Sequence, residues 1–286
     1  MPVKEFFEPQ DLDEAAYLAK ESKLSPRFLA GGTDLMVQLR EPGTSSLRLI
    51  SLKRIHELRQ IVWLSSRELF VGALVSHSSL SIHPEIGRHF PALASASSMV
   101  GSPSIRNMGT VGGNICNSSP SADTALPLLA YDAHVLIRQN DSDRRIKISE
   151  FFTGRGENVL KKGDILKGFI LTPIEGHSSS YEKLGLRRAM EIGIVNVCVV
   201  TKMEGSFCKD IRIGLGSVAP KPIRAPKVEA TLKGKRISES LLETASERAE
   251  NEIAPITDIR ASAHYRREMT KYLLKKGIRR ILGSPF

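Results

Sequence analysis

Apolar residues change spacing several times along this chain, and each change marks an element. Leu12, Ala15, Ala16, Tyr17 and Ala19 recur at helical spacing behind Asp11, which suits an N-cap, so Asp11 to Lys20 is expected to be a helix. Arg27 to Ala30 follows as a short buried strand that runs into Gly31-Gly32, and Leu47 to Leu52 is a second strand after the turn signal Pro42-Gly43. Ile61 to Leu64 and Leu69 to Gly72 flank polar residues as a hairpin would, and Pro84 to Met99 carries Ile86, Phe90, Leu93 and Ala94 at helical spacing. Thr124 to Ala130 is an apolar helix. His134 to Arg138 and Arg144 to Ile148 form a hairpin around Asn140-Asp141-Ser142-Asp143, and Ile165 to Leu171 is a strand stopped by Pro173.

Glu175-Gly176-His177-Ser178-Ser179-Ser180 has the composition of a linker, which places a domain boundary between 1–175 and 176–286. Beyond it Tyr181 to Leu186, Ile194 to Lys202 and Phe207 to Leu215 are expected as strands, the last two joined at Glu204-Gly205. Glu239 to Asn251 and Ser262 to Leu282 are expected as helices.

Two glycine pairs interrupt this pattern: Leu29-Ala30-Gly31-Gly32-Thr33-Asp34-Leu35 and Gly109-Thr110-Val111-Gly112-Gly113-Asn114. Without a Cβ, consecutive N–H groups can face one concavity and bind anionic oxygens, so two such loops could hold one pyrophosphate. On this reading Gly112→Val removes binding of the ligand that carries the pyrophosphate and spares the fold. Asp123 has two readings. It caps the helix that follows, or it accepts hydrogen bonds from ligand hydroxyls.

Composition narrows the class. The chain has 286 residues, enough for two or three domains, and a formal charge of +10 that permits nucleic acid, anionic lipid or an acidic protein as partner. Cys116, Cys198 and Cys208 make no Cys-x-x-Cys pair and no disulfide framework, and the first residues hold no export signal, so a cytoplasmic setting is expected. No apolar run is long enough to span a bilayer. The basic residues from Arg266 to Arg280 keep helical spacing with Tyr265, Met269, Tyr272, Leu273 and Ile278. That favours a packed amphipathic helix with a solvated face, open to a protein partner rather than nucleic acid.

Other motifs fail on context. Gly214-Leu215-Gly216-Ser217-Val218-Ala219 fits a dinucleotide pattern, but Pro220 and Pro222 stand where its helix should begin. Signatures of nucleotide hydrolysis, zinc proteolysis and serine hydrolases are lacking, and the seven histidines show no metal-ligand spacing.

The two glycine segments, with Arg106-Asn107-Met108 before the second, and Ser119-Pro120-Ser121-Ala122-Asp123 followed by Leu126-Pro127-Leu128-Leu129, resemble the flavin-binding signatures of the molybdenum hydroxylases. These are the FAD-binding medium subunits of the xanthine dehydrogenase and carbon monoxide dehydrogenase type. The resemblance continues through Tyr181-Glu182-Lys183-Leu184 with Arg187-Arg188, Leu215 to Pro220 with Pro222-Ile223-Arg224-Ala225, and Asp258 to Ala263 with Tyr265-Arg266-Arg267. It covers essentially the whole chain in order.

The resemblance implies an α+β protein: a vanillyl-alcohol-oxidase-type FAD domain of two α/β subdomains, about 1–55 and 56–175, and a C-terminal α+β domain with a three-stranded antiparallel sheet. Phe28, Leu29, Ala30, Gly31, Gly32, Thr33, Asp34 and Leu35, with Thr110, Val111, Gly112, Gly113 and Asn114, would surround the pyrophosphate and ribityl chain. Asp123 would bond sugar hydroxyls, Leu166 would contact the adenine or flavin side, and Lys183 would reach the flavin. Val100 matches a flavin-facing position that is aromatic in some relatives. The cysteine-bearing insertion that gives some members an extra iron-sulfur cluster is not present.

The function so implied is electron transfer. A molybdenum-cofactor large subunit oxidises substrate, a small subunit relays electrons through two [2Fe-2S] clusters, and FAD in this chain passes them to NAD or another acceptor, in a dimer of heterotrimers. No residue of this chain need act as a catalytic acid or base. The alternatives are a stand-alone flavin reductase of the same fold, and a flavin-free scaffold or basic nucleic-acid-binding protein whose loops are only turns.

Overall fold

The computed structural model describes residues 3–41, 46–139, 142–187 and 190–283. The expected turns at Pro42-Gly43 and Asn140-Asp141, and Arg188 of the basic pair, lie outside the described residues.

The first layer is a small parallel sheet. β1 (Val3–Phe7) and β2 (Ser25–Leu29) both pair parallel with β3 (Leu47–Ser51), giving the order β1-β3-β2. Between β1 and β2 lies α1 (Leu12–Lys20), where the Asp11 carboxylate accepts from Glu14 N at 2.8 Å. Its buried face of Leu12, Ala15, Ala16 and Ala19 joins Ile50, Leu52, Ile55 and Leu58 in one cluster. β1 was not expected, because it buries no residue fully and carries Lys4 and Glu5. α2 (Leu35–Gln38) is a single turn after the first glycine pair.

The second layer is a five-stranded antiparallel sheet, so this subdomain is not built on parallel crossovers. β4 (Ile61–Ser65), β5 (Glu68–Gly72), β6 (His134–Gln139), β7 (Ser142–Lys147) and, after α9 (Ile148–Phe151) and the two-stranded β8 (Phe152–Gly154) and β9 (Glu157–Asn158), β10 (Ile165–Leu171) lie in the order β4-β5-β10-β6-β7. Six short helices separate β5 from β6: α3 (His77–Ile82), α4 (Pro84–His89), α5 (Pro91–Ser98), α6 (Pro103–Met108), α7 (Val111–Cys116) and α8 (Ala125–Ala130). The single helix expected over Pro84 to Met99 is thus two. Pro91 cannot donate to the preceding turn, and Phe90 leaves helical geometry at φ −140° and ψ 53°.

In the third layer β11 (His177–Leu184), β12 (Val195–Glu204) and β13 (Phe207–Gly216) form an antiparallel sheet extended by the two-residue strands β14 (Ile223–Arg224) and β15 (Lys235–Arg236). α10 (Pro226–Leu232), α11 (Glu239–Arg248) and α12 (Ala263–Leu282) complete it. The expected linker is mostly strand. Only the turn at Glu175-Gly176, with Gly176 at φ +67°, precedes β11. The serines after it are hydrogen-bonded: Ser179 Oγ accepts from Tyr131 Oη at 3.0 Å, and Ser180 Oγ donates to Gly277 O at 3.0 Å.

Layers two and three share a core. Tyr181, Cys198 and Val200 belong to the same buried cluster as Phe90, Leu126 and Tyr131. Gly214 and Gly216, the false dinucleotide motif, serve this contact: a Cβ on Gly214 would lie 2.7 Å from Leu126 O, and one on Gly216 would meet the Leu126 side chain at 3.1 Å. The glycines let α8 lie directly on β13.

The basic face of α12 is not simply solvated. Lys276 and Arg280 both pair with buried Glu182, at 3.1 and 2.8 Å, while Arg279 pairs with Glu239 and Lys275 with Glu243. Much of the charge that suggested a partner is met by acids of the same domain. Among the described residues no helix is long and apolar enough to cross a membrane.

Candidate functional site

A cleft of about 710 Å³ opens where the first two layers meet, walled by the first glycine segment, α3, α6, α7 and the segment Leu160 to Leu166. Of the expected contacts, Phe28, Ala30 to Leu35, Val100, Thr110, Gly112, Gly113, Asn114 and Leu166 line it. Leu29 and Val111 do not. Leu29 turns to the far side of β2 and packs with Leu39, Leu47 and Leu49, and Val111 is fully buried in the main core.

The two glycine segments are not equivalent. In the first, Gly32 takes φ +80°, and among the described residues the amides of Gly31, Gly32, Thr33, Asp34 and Leu35 donate to no group of the chain. That is a nest of free donors. The second segment is a helix start with its donors used, except Thr110 N, which among the described residues has no partner in the chain. Val111 N donates to Val75 O at 3.0 Å and Gly112 N to Ala73 O at 2.9 Å. Thr110 then caps α7, its Oγ1 accepting from Gly113 N at 3.0 Å, and its carbonyl takes Asn114 N at 2.9 Å.

The glycines here answer to packing. A Cβ on Gly112 would stand 2.5 Å from Ala73 Cβ and 2.6 Å from Ala73 O, and one on Gly31 would stand 2.0 Å from Met108 O. The expectation that Gly112→Val spares the fold therefore fails, since the new side chain collides with β5's continuation before it meets any ligand. Gly113 is the more open position: its nearest neighbours would be Thr110 Oγ1 at 3.0 Å and Ala30 Cβ at 4.0 Å.

Several lining residues carried no signal in sequence spacing. Lys23, Arg27, His77 and Lys161 reach the cleft from three separate segments, and only the fold assembles them. His77 opens α3 and is 2% exposed, and its Nδ1 is closed off without a hydrogen-bond partner. Burial, helped by the Arg106 guanidinium, pushes its imidazole down to about 4, so the ring is neutral at pH 7. Cys116 also lines the cleft, its thiol pushed up to about 12 by burial, and it stays protonated.

Asp123 and Lys183 do not line the cleft; they face each other beside it. Lys183 Nζ lies 2.9 Å from Asp123 Oδ2 and donates to Met99 O at 3.0 Å, next to cleft-lining Val100. The Tyr181 phenol and Asn196 Nδ2 both donate to Asp123 Oδ1, the latter at 2.8 Å. Burial raises the carboxyl, and the ammonium, phenol and amide oppose that shift. Asp123 does not cap α8, which begins after Thr124 with no side-chain cap. Its carboxylate instead ties layer two to layer three, with Ser217 Oγ extending the network to Ser121 Oγ and Gly193 O, each at 2.8 Å.

The free amides, the positive φ at Gly32 and the unpartnered imidazole fit an anionic ligand, and the pyrophosphate of FAD is such a group. Comparison with known proteins points the same way. Residues 2–172 match the family described as the FAD binding domain in molybdopterin dehydrogenase, and residues 179–281 match the CO dehydrogenase flavoprotein C-terminal domain. The chain is 33% identical over 254 residues to the xanthine dehydrogenase FAD-binding subunit of Escherichia coli O157:H7, covering 88% of this chain and 87% of that one. It is 27% identical to the carbon monoxide dehydrogenase medium chain of Hydrogenophaga pseudoflava, covering 97% and 96%. A solved structure of carbon monoxide dehydrogenase from that organism superposes with a TM-score of 0.93 over 98% of this chain and 97% of the other, at 27% identity. These matches run through both the cleft-bearing layers and the C-terminal layer, and they establish that the chain belongs to the family of FAD-binding flavoprotein subunits of the xanthine and carbon monoxide dehydrogenases.

Proposed function

We propose that this chain seats FAD in the cleft and passes electrons through it, from [2Fe-2S] clusters of a partner subunit to NAD or another acceptor. The observation that carries the seat is the run of amides from Gly31 to Leu35, unengaged among the described residues, around the left-handed Gly32. These donors hold the pyrophosphate, Phe28, Val100 and Leu166 supply apolar walls, and Asn114 and Asp34 offer polar groups to hydroxyls. FAD, when bound, supplies the redox chemistry; the protein orients it and sets the polarity around it.

On this reading Asp123 and Lys183 hold the Val100 wall against the third layer, Lys183 acting through Met99 O rather than from the cleft lining. The chain would act as the medium subunit of a complex with a molybdenum-cofactor large subunit and a [2Fe-2S] small subunit, arranged as a dimer of heterotrimers in the cytoplasm. The FAD domain would end near residue 175, between the two family matches.

An absorption spectrum of the purified chain, followed by release and chromatography of its chromophore, tests the reading. Bound FAD is expected, or its uptake on addition. A folded, colourless chain that refuses FAD would remove the reading at its base. Co-purification with iron-sulfur and molybdenum subunits separates the complex from a stand-alone reductase.

A further inference from the structure

The nest from Gly31 to Leu35 covers one side of an anion. The opposite wall is the second glycine segment, where the amides of Val111, Gly112, Gly113 and Asn114 are all engaged within the chain. Among the described residues only the Thr110 N–H of that segment has no partner in the chain, so an oxyanion bridging the two walls meets several main-chain donors on one side and one on the other, unless side chains add to them.

His77 stands at that place. Its main-chain N–H donates to Gly109 O at 3.1 Å. Its ring Cδ2 and Thr33 Oγ1 lie 3.3 and 3.6 Å from the position a Cβ on Gly109 would take. The imidazole thus sits between the two glycine segments, lines the cleft and is buried. A proton on Nδ1 would be enclosed without an acceptor, which favours the tautomer with its proton on Nε2 at the tip of the ring. No group of the chain, among the described residues, takes that proton.

We propose that His77 donates a hydrogen bond to the pyrophosphate of bound FAD and is a side-chain donor of the second wall, a proposal that rests on the FAD reading above. It is a positioning residue: it holds the middle of the dinucleotide and takes no part in electron transfer. The cations of the cleft, Lys23, Arg27, Lys161 and Lys162, come from segments outside the two glycine stretches that flank the neutral His77 ring.

The experiment uses the full chain stripped of flavin. FAD and ADP are titrated into wild type, His77→Leu and His77→Asn, and the ring nitrogens of His77 are followed by ¹⁵N NMR in wild type. The leucine is expected to weaken FAD and ADP by a similar factor of about tenfold or more, as loss of a hydrogen bond to a charged group does. The asparagine, whose amide can donate, should recover part of that loss, and ADP alone should shift the His77 ring resonances.

Unchanged FAD and ADP affinity in a folded leucine variant overturns the proposal, as does loss of FAD affinity with ADP affinity intact, which would put the ring against the isoalloxazine. If the leucine variant does not fold, the wild-type spectrum decides: ring resonances unmoved by ADP overturn the proposal. Wild type that binds neither FAD nor ADP overturns the FAD reading itself, and this proposal with it.

Discussion

At His77 burial and charge act in the same direction. The unfolded imidazole binds its proton below about 6.5, whereas the folded ring stays neutral until about 4. Between those values the unfolded chain binds more protons, so stability is full above pH 6.5 and falls as pH drops toward 4. The shift corresponds to about 3 kcal/mol. Urea unfolding of flavin-free protein at pH 7 and pH 4.5 should show this loss, and in His77→Leu that part of the slope should vanish. An identical slope in both proteins would show that other groups cause it. Asp123 illustrates the opposite case at the same scale, a buried carboxylate retained because three donors converge on it.

Among elements, α7 and the turn before α2 look alike in sequence and differ in what their backbones do. The Gly31-Gly32 turn interrupts regular structure and leaves amides free, while Gly112-Gly113 continues a capped helix whose first amides bond back to the segment after β5. Gly112→Ala should therefore cost stability, about 3 kcal/mol from overpacking against Ala73, and lose FAD only by unfolding. Gly113→Ala meets only Thr110 Oγ1 closely and is expected to keep the melting temperature within a few degrees while lowering FAD affinity. Thermal melts and FAD titrations of the two variants check this; equal melting temperatures would refute the division of roles.

For the whole molecule, the third layer is structural support for the cleft. It supplies Tyr181, Lys183 and Asn196 to Asp123, and Arg224 to Asp132 at 2.7 Å, and it shares the main apolar core. A chain cut after residue 172 would strip Asp123 of all three donors and would expose the core around Tyr131 and Leu126. We expect that fragment to be insoluble or to melt without a cooperative transition in circular dichroism. Cooperative unfolding with FAD affinity equal to the full chain would show that the first two layers are self-sufficient.

Local chemistry determined much of this from the sequence. The Asp11 cap, the spacing of α1, the apolar strands β5, β10, β12 and β13, and the helix over Ala125 to Ala130 follow from propensity and periodicity, because each is long or strongly apolar enough for its own residues to decide. The ordered motifs also carried the family and its flavin. Where Phe90 breaks a helix, why Ser178 to Ser180 form strand rather than linker, and which acids neutralise α12 depended on partners far along the chain. The cleft depended on them most. Whether a glycine amide is free or engaged is set by what packs against it, so only the tertiary structure distinguishes the nest at Gly32 from the packed helix at Gly112, and only it brings His77 between them.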